Sequence, residues 1–458
     1  MVWGKRAGSM LATSLRRSPS SAMQSFDVAL GRVSVWRCLS SQRLPNGEAT
    51  EPEGILKRLK ARSDKLNQWE HEISPALVKV DETVTTAIST LEAFRSDVPM
   101  WRSAFQAVQN IAGSSTRNLL RPQLVFLGYA AGKSITSMEA LSDPPPGLVR
   151  FAAGVELQHL FMFVHDDMMD HALTRRGHDT IQVAIARGEQ LSSSDLGELT
   201  GKLSPETVQH LTTLIGDTLQ AKSAQLLASG EGLCESGDPS NPSAMDAVLE
   251  GAFRAGAAQF DDIVGWQGVE HSLHRLQFNA STSPPSMVLL ERLMEDKASY
   301  HSFAAPLIAG IRLSGKRDAT LEKACTDWAR HIGAAFQGVD DVIDLVLEVK
   351  ESGKDRLQDI QEGRLSLPLF LLREKATTDE WNAVYNVLGS HAVLAPSERH
   401  MLLKLINKYD LNKASLAFVT GEVRLAREAA ANAAIAGDEY AILRQGMDVF
   451  VQGLDDVA

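Results

Sequence analysis

The sequence predicts an all-α fold, a single large helical bundle, and three observations carry that reading. Long stretches place apolar residues three and four apart, as in "LVRFAAGVELQHLFMFVHDDMMD" (148–170) and "VQHLTTLIGDTLQAKSAQLLA" (208–228). That spacing lines one face of a helix. No run of alternating β-branched residues stands between turn signals, so no sheet is required. The Gly, Pro and Ser breakers fall in clusters, at 142–147, 188–205, 229–243, 282–286 and 351–355, which reads as a set of helix connections. No short repeat of fixed period occurs.

In chain order, residues 1–46 differ from the rest. They hold seven basic residues and one acidic, Asp27, whereas the whole chain carries a net charge of −11. Rich in serine, with short apolar groups and an "RCLSSQ" stretch at 37–42, this segment has the pattern of an organelle import signal. A secretory leader would need a longer apolar core. Mitochondrial matrix import is the preferred address, with a plastid as the competitor. Residues 47–54 are polar and close the linker "LPNGEATEPEG". One all-α domain is expected over 55–455.

The composition excludes several classes. A net negative charge and 6% aromatic content argue against a nucleic-acid binder. Cys38, Cys234 and Cys325 are too far apart for a zinc knuckle or a disulfide framework. No stretch approaches eighteen uninterrupted apolar residues, so no transmembrane helix is expected.

The chemistry concentrates in "FVHDDMMDHALTRRG" (163–177). On a helix, Asp166, Asp167 and Asp170 share neighbouring surface, at the end of the apolar run Leu160–Val164. Carboxylates in such a setting need partners or a metal. A second copy, "FQGVDDVIDLV" (336–346), repeats the spacing with Asp340, Asp341 and Asp344. Two such motifs facing each other across a bundle suit Mg²⁺, which takes one or two carboxylates plus phosphate oxygens. Arg175, Arg176 and Lys297 are suitable partners for the phosphates.

Paired motifs with these companions resemble the trans-isoprenyl diphosphate synthases, or polyprenyl synthetases, from about Arg117 to Leu372. "AAQFDDIVGW", through Gln259 and Asp262, is similar to the family's Gln-x-x-Asp segment, and "DKAS" (296–299) to its lysine segment. The resemblance implies a bundle of the isoprenoid synthase type with a central active-site cavity, a homodimer, and a cluster of three Mg²⁺. Asp166, Asp170 and Asp340 would hold the ions, supported by Asp167, Asp341 and Asp344. Arg175 and Lys297 would contact an allylic diphosphate, and Gln337 would position Lys297 or polarise the site. Isopentenyl diphosphate would sit on Arg121, Arg176 and His159. Ionisation of the allylic diphosphate, attack by the alkene and proton loss would follow, with no protein nucleophile.

Three departures matter. The isopentenyl diphosphate stretch reads "TRNLLRP" (116–122), with Asn118 where the family has lysine; Arg117 offers a charge from a direction about 100° away on a helix. Arg364 stands for a second lysine, which keeps charge but changes geometry. Ala298 follows Lys297 where threonine is usual. Phe161 and Met162, five and four residues before Asp166, are large enough to floor the pocket and favour a product of fifteen or twenty carbons. Against this, an imported enzyme making a long quinone tail would be expected to have smaller residues there. A terpene cyclase, a prenyltransferase with another acceptor and a non-catalytic subunit remain the alternatives; intact aspartates oppose the last.

Overall fold

The computed structural model describes residues 52–114, 119–187, 203–234, 242–276, 285–346, 357–389 and 394–455. Residues 1–46, read from the sequence as an import signal, residues 47–51 of the linker, Arg117, Asn118 and most of the 188–205 loop lie outside them. The described residues are helical, apart from turns and one two-residue hairpin. In order these are α1 Pro52–Phe94, α2 Pro99–Ala112, α3 Leu120–Gly132, α4 Pro146–Met169, the strands β1 Thr174–Arg175 and β2 His178–Asp179, and α5 Pro205–Leu233. Then come α6 Ala244–Leu276, α7 Pro285–Met294, a π-helix Glu295–Ala304, α8 Ala305–Leu313, α9 Ala319–Val346, α10 Gln358–Glu362 and α11 Leu367–Lys375. The chain closes with α12 Thr378–Tyr385, α13 Pro396–Lys408, α14 Leu411–Ala430 and α15 Ala441–Asp455.

The chain divides into two compact units. Among the described residues, the first takes in those within 77–122 and 145–233, and the second those within 52–76, 123–144 and 234–455. In the first, α4 packs along α5. Small residues permit the approach: a Cβ on Gly154 would lie 2.9 Å from Leu227 N, and one on Gly230 2.5 Å from Phe151 N. Gly230 was expected to break the helix. Here α5 continues through it to Leu233, because the glycine serves close packing. Ser223 Oγ donates to Gly154 O at 2.7 Å and locks the pair. By length and composition α4 is apolar enough to cross a membrane, yet 78% of its apolar window is buried within the protein, the burial of a core helix.

In the second unit α9 packs on α14 and on the π-helix. Trp69, Phe303, Trp328 and Phe450 form an aromatic core of edge-on and tilted ring contacts. The α3 and α8 backbones nearly touch, since a Cβ on Gly128 would meet Leu307 O at 2.1 Å. A break appears where none was expected: Gly265, at φ 63° and ψ −151°, interrupts α6.

Candidate active site

The first aspartate motif ends α4 in a way its residues explain. His171 N reaches Met168 O at 3.3 Å and Ala172 N reaches Asp167 O at 2.9 Å, with His171 at φ 52°. This is the Schellman pattern that stops a helix and reverses the chain. Asp170 is therefore the C-cap, not a helical residue. The returning chain forms the hairpin, pairing Thr174 with Asp179 and Arg175 with His178. Arg176 and Gly177 fill its two-residue turn at φ 52° and 79°, the positive values a type I′ turn requires.

The hairpin carries Arg175 back over the motif. Arg175 Nε donates to Asp167 Oδ1 at 2.9 Å, and its Nη2 bonds the same oxygen and lies 3.4 Å from Asp166 Oδ2. Asp167 is 2% exposed, so this pairing compensates a buried charge. Arg176 is buried and donates from Nη1 to Ile111 O at 3.2 Å. His159 and Arg121 are buried as well. Phe161 stacks edge-on with His165 at 4.9 Å. His165 fits only because α5 presents Gly216 there, where a Cβ would lie 2.3 Å from Nε2. Met162, four residues before Asp166, lies one helical turn below it on the same face.

The second unit holds the remaining expected residues, centred on Asp262. This carboxylate, 3% exposed, accepts from Lys297 Nζ at 2.6 Å, Arg364 Nη1 at 3.2 Å and Leu365 N at 2.8 Å. Lys297 projects from the π-helix, a conformation frequent at functional sites. Arg364 also reaches Glu362 Oε2 at 3.2 Å, and its carbonyl accepts from Trp266 Nε1. The Gly265 kink brings α6 against Gly363, whose carbonyl would lie 3.1 Å from an added Cβ. The buried Gln259 Nε2 has no hydrogen-bond partner among the described residues.

In the second aspartate motif the roles divide. Asp340 is exposed and Asp341 is buried. Gln337, expected to position Lys297 or polarise the site, donates to Asp341 Oδ1 at 2.8 Å, and Leu367 N at the start of α11 donates to Oδ2 at 2.7 Å. Burial pushes the Asp341 carboxyl up to about 8, with the neighbouring Asp359 and Asp340 adding repulsion; the two hydrogen bonds pull it back only in part. Asp344 lies in α9, with its side chain outside the described set. Among the described residues no three His, Cys, Asp or Glu side chains converge as a ready metal cage. Asp166, partly exposed, and the C-cap Asp170 instead supply a sparse carboxylate set. That suits Mg²⁺ completing its shell with phosphate and water.

Sequence reasoning passed over Phe163. Its ring lies 4.0 Å from that of His159 and beneath the guanidinium groups of Arg175 and Arg176, at 4.4 and 5.3 Å. The available signal was an aromatic residue one helical turn after His159.

Comparison with known proteins bears on the family and the fold. A family model described as polyprenyl synthetase matches residues 105–402. A geranylgeranyl diphosphate synthase of Sulfolobus acidocaldarius is 27% identical over 263 residues, covering 57% of this chain and 67% of its own. The mitochondrial hexaprenyl pyrophosphate synthase of Saccharomyces cerevisiae is 28% identical over 245 residues, 49% of this chain and 47% of its own. The fold is shared with the crystal structure of a geranylgeranyl pyrophosphate synthase from Corynebacterium glutamicum complexed with isoprenyl diphosphate and magnesium. That match has a TM-score of 0.61 at 19% identity and covers 83% of this chain and 98% of the other.

Proposed function

The chain belongs to the polyprenyl synthetase family of prenyltransferases, and from that premise we propose that it condenses isopentenyl diphosphate head-to-tail with an allylic diphosphate. The observation that carries this reading is a repeated arrangement. Each unit pairs an aspartate-rich helix with a cation held on a buried carboxylate, Arg175 on Asp167 and Lys297 on Asp262. Such cations are set in place before a polyanion arrives.

Asp166, Asp170 and Asp340 would hold Mg²⁺, which when bound supplies Lewis-acid neutralisation of a departing diphosphate. Arg175 in the first unit and Lys297 in the second would each donate to diphosphate oxygens, and Arg364 adds charge on the Asp262 anchor that holds Lys297. Arg176, His159 and Arg121 receive isopentenyl diphosphate. Asp262 orients the two cations it holds; Gln337 keeps Asp341 in place. The apolar run before Asp166 shields the reacting carbons from water, and the proton lost after coupling passes to the released diphosphate.

A product of fifteen to twenty carbons fits the bulk of Phe161 and Met162. The similarity to a hexaprenyl synthase favours a longer product as the second reading. We assign the basic segment 1–46 to mitochondrial import, with a plastid as the alternative; relatives named mitochondrial and chloroplastic support either. Leu249, Phe253, Phe260, Ile263 and Val264 are exposed along one face of α6, which supports a homodimer. The test is incubation of purified protein with Mg²⁺, labelled isopentenyl diphosphate and five-, ten- or fifteen-carbon allylic partners, with products sized by chromatography. Elongation of at least one partner is expected; elongation of none would sink the proposal.

A further inference from the structure

The prenyl-transfer reading assigns both hairpin arginines and His159 to diphosphates, and the inference rests on it. All three groups meet at one ring. Phe163 lies within cation–π range, about 6 Å, of both guanidinium groups, and its ring stacks at 56° on that of His159.

This convergence is not what a hairpin provides by default. Consecutive strand residues point to opposite faces, so neighbouring arginines would ordinarily diverge. Here Arg176 leaves the strand into the turn at φ 52°, a conformation that L side chains rarely adopt. Its hydrogen bond to Ile111 O and its cation–π contact with Phe163 are among the contacts that hold it there. Arg175 meanwhile lies across the same ring while bonding Asp167. A leucine of similar volume would fill the space but offer no negative ring face to either cation.

We propose that Phe163 is the positioning residue that sets Arg175, Arg176 and His159 relative to one another, and so fixes how the two diphosphate sites are presented. Its effect passes through the arginines, so it governs substrate binding more than turnover.

The experiment compares full-length wild type with Phe163→Leu, Phe163→Met and Phe163→Tyr. Steady-state kinetics are measured with each diphosphate varied in turn, thermal melting is followed in parallel, and inorganic diphosphate with Mg²⁺ is titrated by calorimetry. Loss of the ring should raise KM for both substrates roughly 3- to 30-fold, the range of one or two cation–π contacts. The kcat should change less than about threefold, and diphosphate affinity should fall in parallel. Phe163→Tyr, which keeps the ring face, should restore wild-type values. Unchanged KM in both Leu and Met variants overturns the proposal. So does a Tyr variant as impaired as Leu, since that outcome makes the residue a matter of packing alone. If one apolar variant fails to fold, the other decides. A wild type that elongates nothing sinks the prenyl-transfer reading instead, and the diphosphate titration then judges Phe163 by itself.

Discussion

The two aspartate motifs share one spacing and solve the same electrostatic problem differently. Each buries its middle carboxylate, Asp167 at 2% and Asp341 at 5% exposure. Asp167 is met by a guanidinium returned by the hairpin. Among the described residues Asp341 receives neutral donors, the Gln337 amide and the first backbone N–H of α11, and its carboxyl rises to about 8. The first motif therefore carries a compensated charge at neutral pH, whereas the second favours a proton unless a cation replaces it. Identical spacing on a helix does not set the electrostatics; what packs against the helix does.

The largest effects should come from the carboxylates expected to carry metal. Asp166→Ala and Asp340→Ala should each lower kcat/KM by about a thousandfold or more. Retention of activity within tenfold in either would show that the motifs are not equivalent in catalysis. Stability should separate them next. Removing the guanidinium in Arg175→Gln takes the ionic partner away from a buried carboxylate, at a cost of about 3 kcal/mol. Gln337→Ala removes one neutral donor, at a cost of about 1 kcal/mol. Urea unfolding at pH 7 reads both, and equal losses would erase the contrast.

The pH dependence sharpens the comparison further. The Asp341 carboxyl is raised in the folded state from 3.8 to about 8. Its stabilising contribution is thus fully present below pH 4 and is lost as the pH rises through 8. Asp341→Asn keeps a neutral group there. In metal-free buffer the urea midpoint of wild type should fall relative to this variant between pH 5 and pH 8.5, and a constant difference would contradict the assigned shift. The smallest effect concerns the first motif's helix alone. Phe161→Ala should lengthen the product by at least one five-carbon unit, and an unchanged chromatographic profile would remove Phe161 from the pocket floor.

Much of the fold was legible because helices announce themselves locally, through apolar periodicity and proline-led starts such as those of α4 at Pro146 and α7 at Pro285. Gly230 misled because the same residue that breaks a helix in solvent permits close packing between helices. The candidate aspartates and cations were legible as residue types. Their pairings were not: Asp262 with Lys297 and Arg364 spans 35 and 102 positions. The kink at Gly265 escaped notice because one glycine in an apolar helical pattern gives no sign of its φ.

The sequence by itself determined that this chain is helical, that two helices end in matched carboxylates, and that cations suited to phosphate accompany them. Those properties follow from spacing within a turn or two, where backbone geometry alone decides which side chains are neighbours. Only the tertiary structure decided that Asp167 takes an arginine and Asp341 does not, that Gln337 serves Asp341, and that one phenylalanine lies beneath both hairpin arginines. Such partnerships depend on how separate elements pack, and desolvation and charge then act on whichever groups that packing brings together.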